Sequence, residues 1–292
     1  MRIRARRIVG PDQFFCLLAM SVFLRVLWKV LTQFRGYEPQ PVGLVSLYRW
    51  LAQLPPSKRA DACLLLDNVL FINQKRIKAA LLALNDAVTE RLKEDDIGPE
   101  RTIYVSIDTA GSSSHVILNM LRDACNLERK KATLIDSKNI IEIAEETGKL
   151  KQGAIVYVDD FCGSGKQFRR NRDWSASFIQ GTFSEFLLAP VICEEAIDRL
   201  RMVGVEPLAS MIHYKRTRPL HPDASIIRAD AKSRIIKMCL DMHGEFGLGF
   251  EAMATCVVLY RNAPNSTPLL LRGNLKQKPL RGLFPRSDDL EF

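Results

Sequence analysis

A short apolar run, Ala154–Val158, stops at two adjacent carboxylates, Asp159 and Asp160, and leads at once into Gly163-Ser164-Gly165 and then Lys166-Gln167. An uninterrupted run with β-branched residues reads as a strand buried on both faces, the kind found in parallel sheets. Ligands of open α/β sheets sit beyond the carboxyl ends of the strands. A turn of small residues opening a helix presents backbone N–H groups that suit a phosphate. Two acids beside such a turn are candidates for gripping a ribose diol or a metal-bound sugar phosphate. The string Gly163-Ser164-Gly165-Lys166 imitates a P-loop, but the positions that must be glycine and Ser or Thr there are Asp160 and Gln167, which excludes it. An ordinary strand–turn–helix with a polar end is the alternative.

The chain around this segment alternates. Val42–Leu54, Lys58–Ile72 and Asn73–Lys93 carry apolar residues at helical spacing, with Pro55-Pro56 between the first two. From Thr102 the pattern becomes strand, helix, strand. Thr102–Ile107, Thr133–Ile135, Glu185–Ile192, Glu206–Tyr214 and Thr255–Leu259 read as strands. His115–Cys125, Asn139–Thr147 (stopped by Gly148), Glu194–Val203 and Asp230–Leu240 read as helices. This rhythm implies an α/β fold with a parallel sheet flanked by helices, preceded by a helical unit. The expected divisions are a leader over 1–38, a helical unit over 39–98, an α/β domain over 99–273 and a basic tail over 274–292.

After Thr102–Ile107 comes Asp108-Thr109-Ala110-Gly111-Ser112-Ser113-Ser114, a second loop of small polar residues at a strand's carboxyl end. Ser112 and Ser113 are therefore candidates for a second phosphate cradle. His213, at another strand end, is a candidate acid or base. A structural histidine is the plainer reading. Arg169, Arg170 and Arg172 are placed either to meet phosphates or nucleic acid or to form a solvated helix face. The loop Arg261–Pro268 follows the last strand and is positioned to overhang the site.

The 292 residues carry a net charge of +9, which favours anionic partners. Apolar residues make up 47% of the chain, a globular composition rather than a disordered one. The cysteines are seven, widely spaced and without a CxxC pair, so neither a disulfide framework nor a zinc site is indicated. A cytoplasmic location is expected. Cys162 occupies an apolar position beside the proposed site and is read as packing rather than reacting.

Arg2, Arg4, Arg6 and Arg7 precede an apolar stretch through Phe34. It resembles a signal peptide but lacks a small-residue cleavage site, and the run before Arg25 is too short to span a bilayer. A docking helix, a helix at a membrane surface, or a start placed upstream of the true one are the alternatives.

Val156-Tyr157-Val158, Asp159-Asp160, Phe161-Cys162 and Gly163-Ser164-Gly165 together resemble the phosphoribosyltransferase signature: apolar strand, acid pair, two apolar positions, small-residue loop. The resemblance implies a type I phosphoribosyltransferase-like sheet, with Asp159 and Asp160 on the ribose hydroxyls and backbone groups of Gly163, Ser164, Gly165, Lys166 and Gln167 around a 5′-phosphate. It also implies a pyrophosphate loop after an early strand, the position of Ser112 and Ser113. Gly163 and Gln167 depart from the family's usual hydroxyl or acidic residues. The helical leader and the ending GLGF, VVLYRNAPNSTPLLLRG and LFPR narrow the likeness to a branch of bacterial conflict systems found beside retron reverse transcriptases; the likeness covers about Val42 to Arg286. Such membership implies an antiphage toxin or effector, held by reverse transcriptase and its RNA–DNA product and released on infection. It leaves the ligand open among phosphoribosyl pyrophosphate with Mg²⁺, NAD and other nucleotides. It also leaves open a sugar-phosphate-binding module without catalysis or a nucleoprotein partner.

Overall fold

The computed structural model describes residues 11–108, 112–273 and 281–286. Arg2–Arg7, Thr109–Gly111 and most of the basic tail therefore lie outside the described residues. The chain divides into two compact units, one of Met1–Phe71, Ile227–Ala263 and Thr267–Phe292, the other of Ile72–Ile226 and Pro264–Ser266. Helix Gln74–Glu94 thus groups with the sheet, and Ile227–Ala263 groups with the N-terminal helices.

The first unit opens with α1 (Pro11–Thr32), α2 (Leu44–Ala52), α3 (Pro56–Asp67) and β1 (Leu70–Ile72). Val22, Val26 and Val30 recur at helical spacing and are buried, so α1 packs one stripe inward, against α3. The helix expected over Lys58–Ile72 ends early, at Asp67. Val69-Leu70-Phe71-Ile72 is β-branched and aromatic, and Leu70 N–H donates to Cys256 O at 2.9 Å. Pairing with a partner strand overrides the helical period there. The last part of the chain is equally unlike a loose tail. Phe284 is fully buried and stands edge-on to Phe34 and Tyr37, with centroids 5.1 Å and 5.4 Å away, a favoured aromatic geometry. The Tyr37 hydroxyl donates to Pro285 O at 2.7 Å.

The second unit supplies α4 (Gln74–Glu94), β2 (Thr102–Ser106), α5 (Ser113–Cys125), β3 (Thr133–Asp136), α6 (Ile140–Leu150), β4 (Gln152–Val158) and β5 (Phe161–Cys162). It continues with α7 (Lys166–Ala176), β6 (Thr182–Cys193), α8 (Glu194–Arg201) and β7 (Val205–His213). The chain then returns to the first unit as α9 (Ala229–His243), β8 (Val257–Leu259), which pairs with β1, and the single turn α10 (Leu269–Arg272). Gly148 does not stop α6, which runs on to Leu150 and is closed by Lys151 at φ 60°. That left-handed conformation is a common way to end a helix.

The six strands β3-β2-β4-β6-β5, with β7 on β6, pair in parallel throughout. Ile103, Val105, Ile155, Tyr157 and Leu187 form one buried face with Ile143 of α6, Phe168 of α7 and Leu200 of α8. Helices α4 and α5 pack against β2, β4 and β6, with the Tyr104 hydroxyl donating to buried Asn85 at 3.0 Å. A sheet covered by helices explains why β4 is a continuous apolar run.

β4 and β5 share one register on β6: Val158 faces Leu188 and Phe161 faces Val191. They are two pieces of one extended line, interrupted at Asp159-Asp160. Opposite the interruption stands Pro190, inside a central strand. Proline has no N–H to give a ladder, so the hydrogen bonding of the sheet is broken there.

Candidate functional site

Ser106 faces Val158 in the β2–β4 pairing, so Asp108 and the Asp159-Asp160 doublet emerge from the same end of neighbouring strands. The two strand ends are finished by different chemistry.

At the β2 end, the Asp108 carboxylate accepts from Gln167 Nε2 at 2.9 Å and Asn171 Nδ2 at 2.8 Å. Asn171 also donates to Ile107 O at 3.1 Å. The two amides lie four residues apart on α7 and so share one face. Asp108 N–H donates to Ser114 Oγ at 3.0 Å, and Ser114 Oγ lies 3.0 Å from Ser112 Oγ. Ser112 is the N-cap of α5, accepting from His115 N–H at 3.3 Å. Its oxygen is thus engaged in closing its own helix. Ser113 begins that helix and is half-buried.

At the β4 end, Asp159 N–H donates to Leu188 O at 3.0 Å, and Asp159 Oδ1 accepts from Asp160 N–H at 2.9 Å. Asp159 is half-buried and Asp160 buried. Burial first, and then the charge of Asp160, push the Asp159 carboxyl well above the ordinary carboxylate range, with Asp108 adding to the shift. A carboxyl held toward its neutral form by burial and a like charge marks a candidate functional position. Cys162 is buried, and burial together with Asp159 raises its thiol well above the usual value, so it packs as a neutral group.

The loop between β5 and α7 is built tightly, with Ser164 and Gly165 buried. Gly165 is the N-cap of α7 at φ +78°, a conformation that favours glycine. A Cβ there would meet Ala196 Cβ of α8 at 3.3 Å. Arg199, also on α8, donates to Ser164 O at 2.7 Å, which fixes the orientation of the Ser164-Gly165 peptide. The N-cap itself, a glycine, has no side chain with which to cap α7. The first N–H groups of this helix point along its axis without intrahelical partners, at the positive end of its dipole. Lys166 is exposed beside them.

The remaining candidates lie apart from this arrangement. His213 is buried at the end of β7, its Nδ1 3.4 Å from Thr217 Oγ1. Arg172 Nε donates to Glu185 at 2.9 Å and Arg169 to Asp173 at 3.4 Å, while Arg170 is exposed. Among the described residues no group of three or more His, Cys, Asp and Glu side chains is arranged to hold a metal ion. A separate cleft of about 330 Å³, lined by His115, Asn119, Arg122, Glu128 and Asp136, contains neither the doublet nor the loop.

Asp108 was legible as a strand-end acid, and Gln167 and Asn171 as an i, i+4 amide pair. Nothing in the sequence joined them. Arg199 and Ala196 act on the loop from α8, and no local signal marks such a long-range buttress.

A family model described as PRTase-CE matches residues 47–286. No curated protein and no solved structure matches the chain.

Proposed function

The chain belongs to the PRTase-CE family, and from that premise we propose that it binds a ribose 5-phosphate moiety at the end of β4 and serves as the effector of a retron-type antiphage defence system. Family and fold are phosphoribosyltransferase-like; the ligand and the biological role are our reading. One observation carries it: the acid doublet at the end of β4 leads within six residues into a helix N-terminus whose N-cap is Gly165, held at φ +78°. Asp159 and Asp160 orient the ribose hydroxyls. Backbone N–H groups at Gly163–Gln167 take the phosphate, with Lys166 adding charge.

In that pose the bond between the anomeric carbon and its leaving group breaks as a bond to a base or water forms. The protein contributes by positioning and by electrostatic stabilisation of the charge developing on the sugar. Carboxylates and substrate phosphates are a donor set that suits Mg²⁺, so Asp159 and Asp160 are the residues that would hold a magnesium ion arriving with phosphoribosyl pyrophosphate or a nucleotide. Its chemistry there is to neutralise the leaving group.

A second reading, a sugar-phosphate-binding module without transfer, is favoured by one detail. Gln167, where the phosphoribosyltransferase signature usually has a small hydroxyl, turns its amide to Asp108. Calorimetry with ribose 5-phosphate and phosphoribosyl pyrophosphate, beside a turnover assay on nucleotides, separates the two. Replacing both aspartates, Asp159→Asn with Asp160→Asn, is expected to weaken ribose 5-phosphate binding about a hundredfold, the loss of the hydrogen bonds that the acid pair makes to the sugar. A folded double variant that binds as well as the parent overturns the reading. The role as effector predicts co-purification with a reverse transcriptase and its RNA–DNA product, through contacts that weaken steeply with salt.

A further inference from the structure

Helix α1 carries two apolar stripes. Val22, Val26 and Val30 are buried, while Met20, Phe23, Leu24, Trp28 and Leu31 are 55, 40, 58, 59 and 46% exposed. The exposed residues recur every three or four positions and so lie along one face. The two cations in this part of the helix are turned elsewhere. Arg25 pairs with Asp67 at 2.8 Å, and Lys29 donates to the carbonyls of Asp67 and Val69. Burial lowers the Lys29 pKa.

The sequence before α1 holds Arg2, Arg4, Arg6 and Arg7, and the only acid ahead of Glu38 is Asp12. We propose that α1 is an in-plane anchor that lays its Met20–Leu31 face on a membrane surface rich in anionic lipid. The apolar stripe then enters the boundary between headgroups and acyl chains, with Trp28 at the level such rings prefer. The positive charge that the sequence carries ahead of α1 adds attraction to anionic headgroups. No helix among the described residues is long and apolar enough to cross a membrane, and the valine stripe is already packed on protein, so the helix lies along the surface. A second copy of this chain fits the face less well, because it would bring two arginine-rich N-terminal sequences together.

The test is co-sedimentation of the full chain with vesicles of phosphatidylcholine mixed with phosphatidylglycerol, and with vesicles of phosphatidylcholine alone. Binding to the mixed vesicles only, weakened by added salt, is expected. The paired change Leu24→Ser and Trp28→Ser should lower partitioning at least about tenfold, since two large apolar contacts are lost. Both side chains are exposed, so the melting temperature should hold. Trp28→Phe should keep sedimentation but remove the blue shift in fluorescence on vesicle addition. Equal binding to both vesicle types overturns the proposal, as does no binding to either. A dimer in light scattering that the serine pair dissolves assigns the face to a second copy instead, and also overturns it.

Discussion

Two strand–loop–helix units of one sheet, β2 into α5 and β4–β5 into α7, begin with the same ingredients: an acid at the strand end, small residues in the loop, a helix beyond. They finish differently. The first closes on itself. Asp108 is held by two side-chain amides, and Ser112 caps α5 with its own hydroxyl. The second ends in a glycine cap and a carboxyl, Asp159, held toward its neutral form. A serine hydroxyl at the N-cap finishes the first unit; the N-cap of the second is a glycine that has no side chain to do the same. Small polar loops at strand ends are alike in sequence, and what separates them is whether neighbouring side chains have already answered their hydrogen bonds.

Single substitutions can break this contrast. Gly165→Ala should cost the most, about 2 to 3 kcal/mol in a denaturant titration, from a left-handed φ combined with a Cβ driven against Ala196. A cost near zero would mean that α8 does not buttress the loop. Asp108→Ala removes the acceptor of the buried Asn171 amide. Leaving one of its two N–H groups unanswered, the other still donating to Ile107 O, should cost about 2 kcal/mol in the same titration. Ser112→Ala should cost about 1 kcal/mol, the loss of a helix cap, and leave ribose 5-phosphate affinity unchanged. If calorimetry shows that affinity falling, the first loop is a phosphate cradle after all.

The smallest effect has the opposite sign. Asp159→Asn keeps the acceptor for Asp160 N–H but removes a carboxyl that resists ionising. It should raise stability at neutral pH by about 0.5 kcal/mol. The pH dependence follows from the raised pKa. The contribution of Asp159 to stability is fully present below the ordinary carboxylate range and is lost as pH rises through its elevated folded value. Parent-protein melting temperatures should therefore carry a downward component over that window that the Asn variant lacks. Equal slopes would place Asp159 in solvent and level the two strand ends.

The doublet, its loop and the parallel order of the strands were legible because each rests on local chemistry: an apolar run, two acids, a glycine forced by φ. The end of α3 was not. The apolar spacing through Lys58–Ile72 suits a helix, and only the partner strand around Val257 turns Leu70–Ile72 into β1. The same holds for Phe284, which reads as tail until Phe34 and Tyr37 are seen around it. Ser112 was legible as a small polar residue but not as a cap already in use, since that depends on where α5 begins. Long-range partners, not propensity, decided each of these.

Pro190 divides the central strand into two hydrogen-bonded segments, a long body zipped to β4 and a short tip zipped to β5. The tip can fray without loosening the body, because no amide hydrogen bridges the seam at that residue. Amide exchange in β5 and the last residues of β6 should then outpace exchange in β4 by the difference between a local opening and a global one. The acids sit on the seam itself, which lets the Gly163–Gly165 bend breathe while the floor beneath it stays shut.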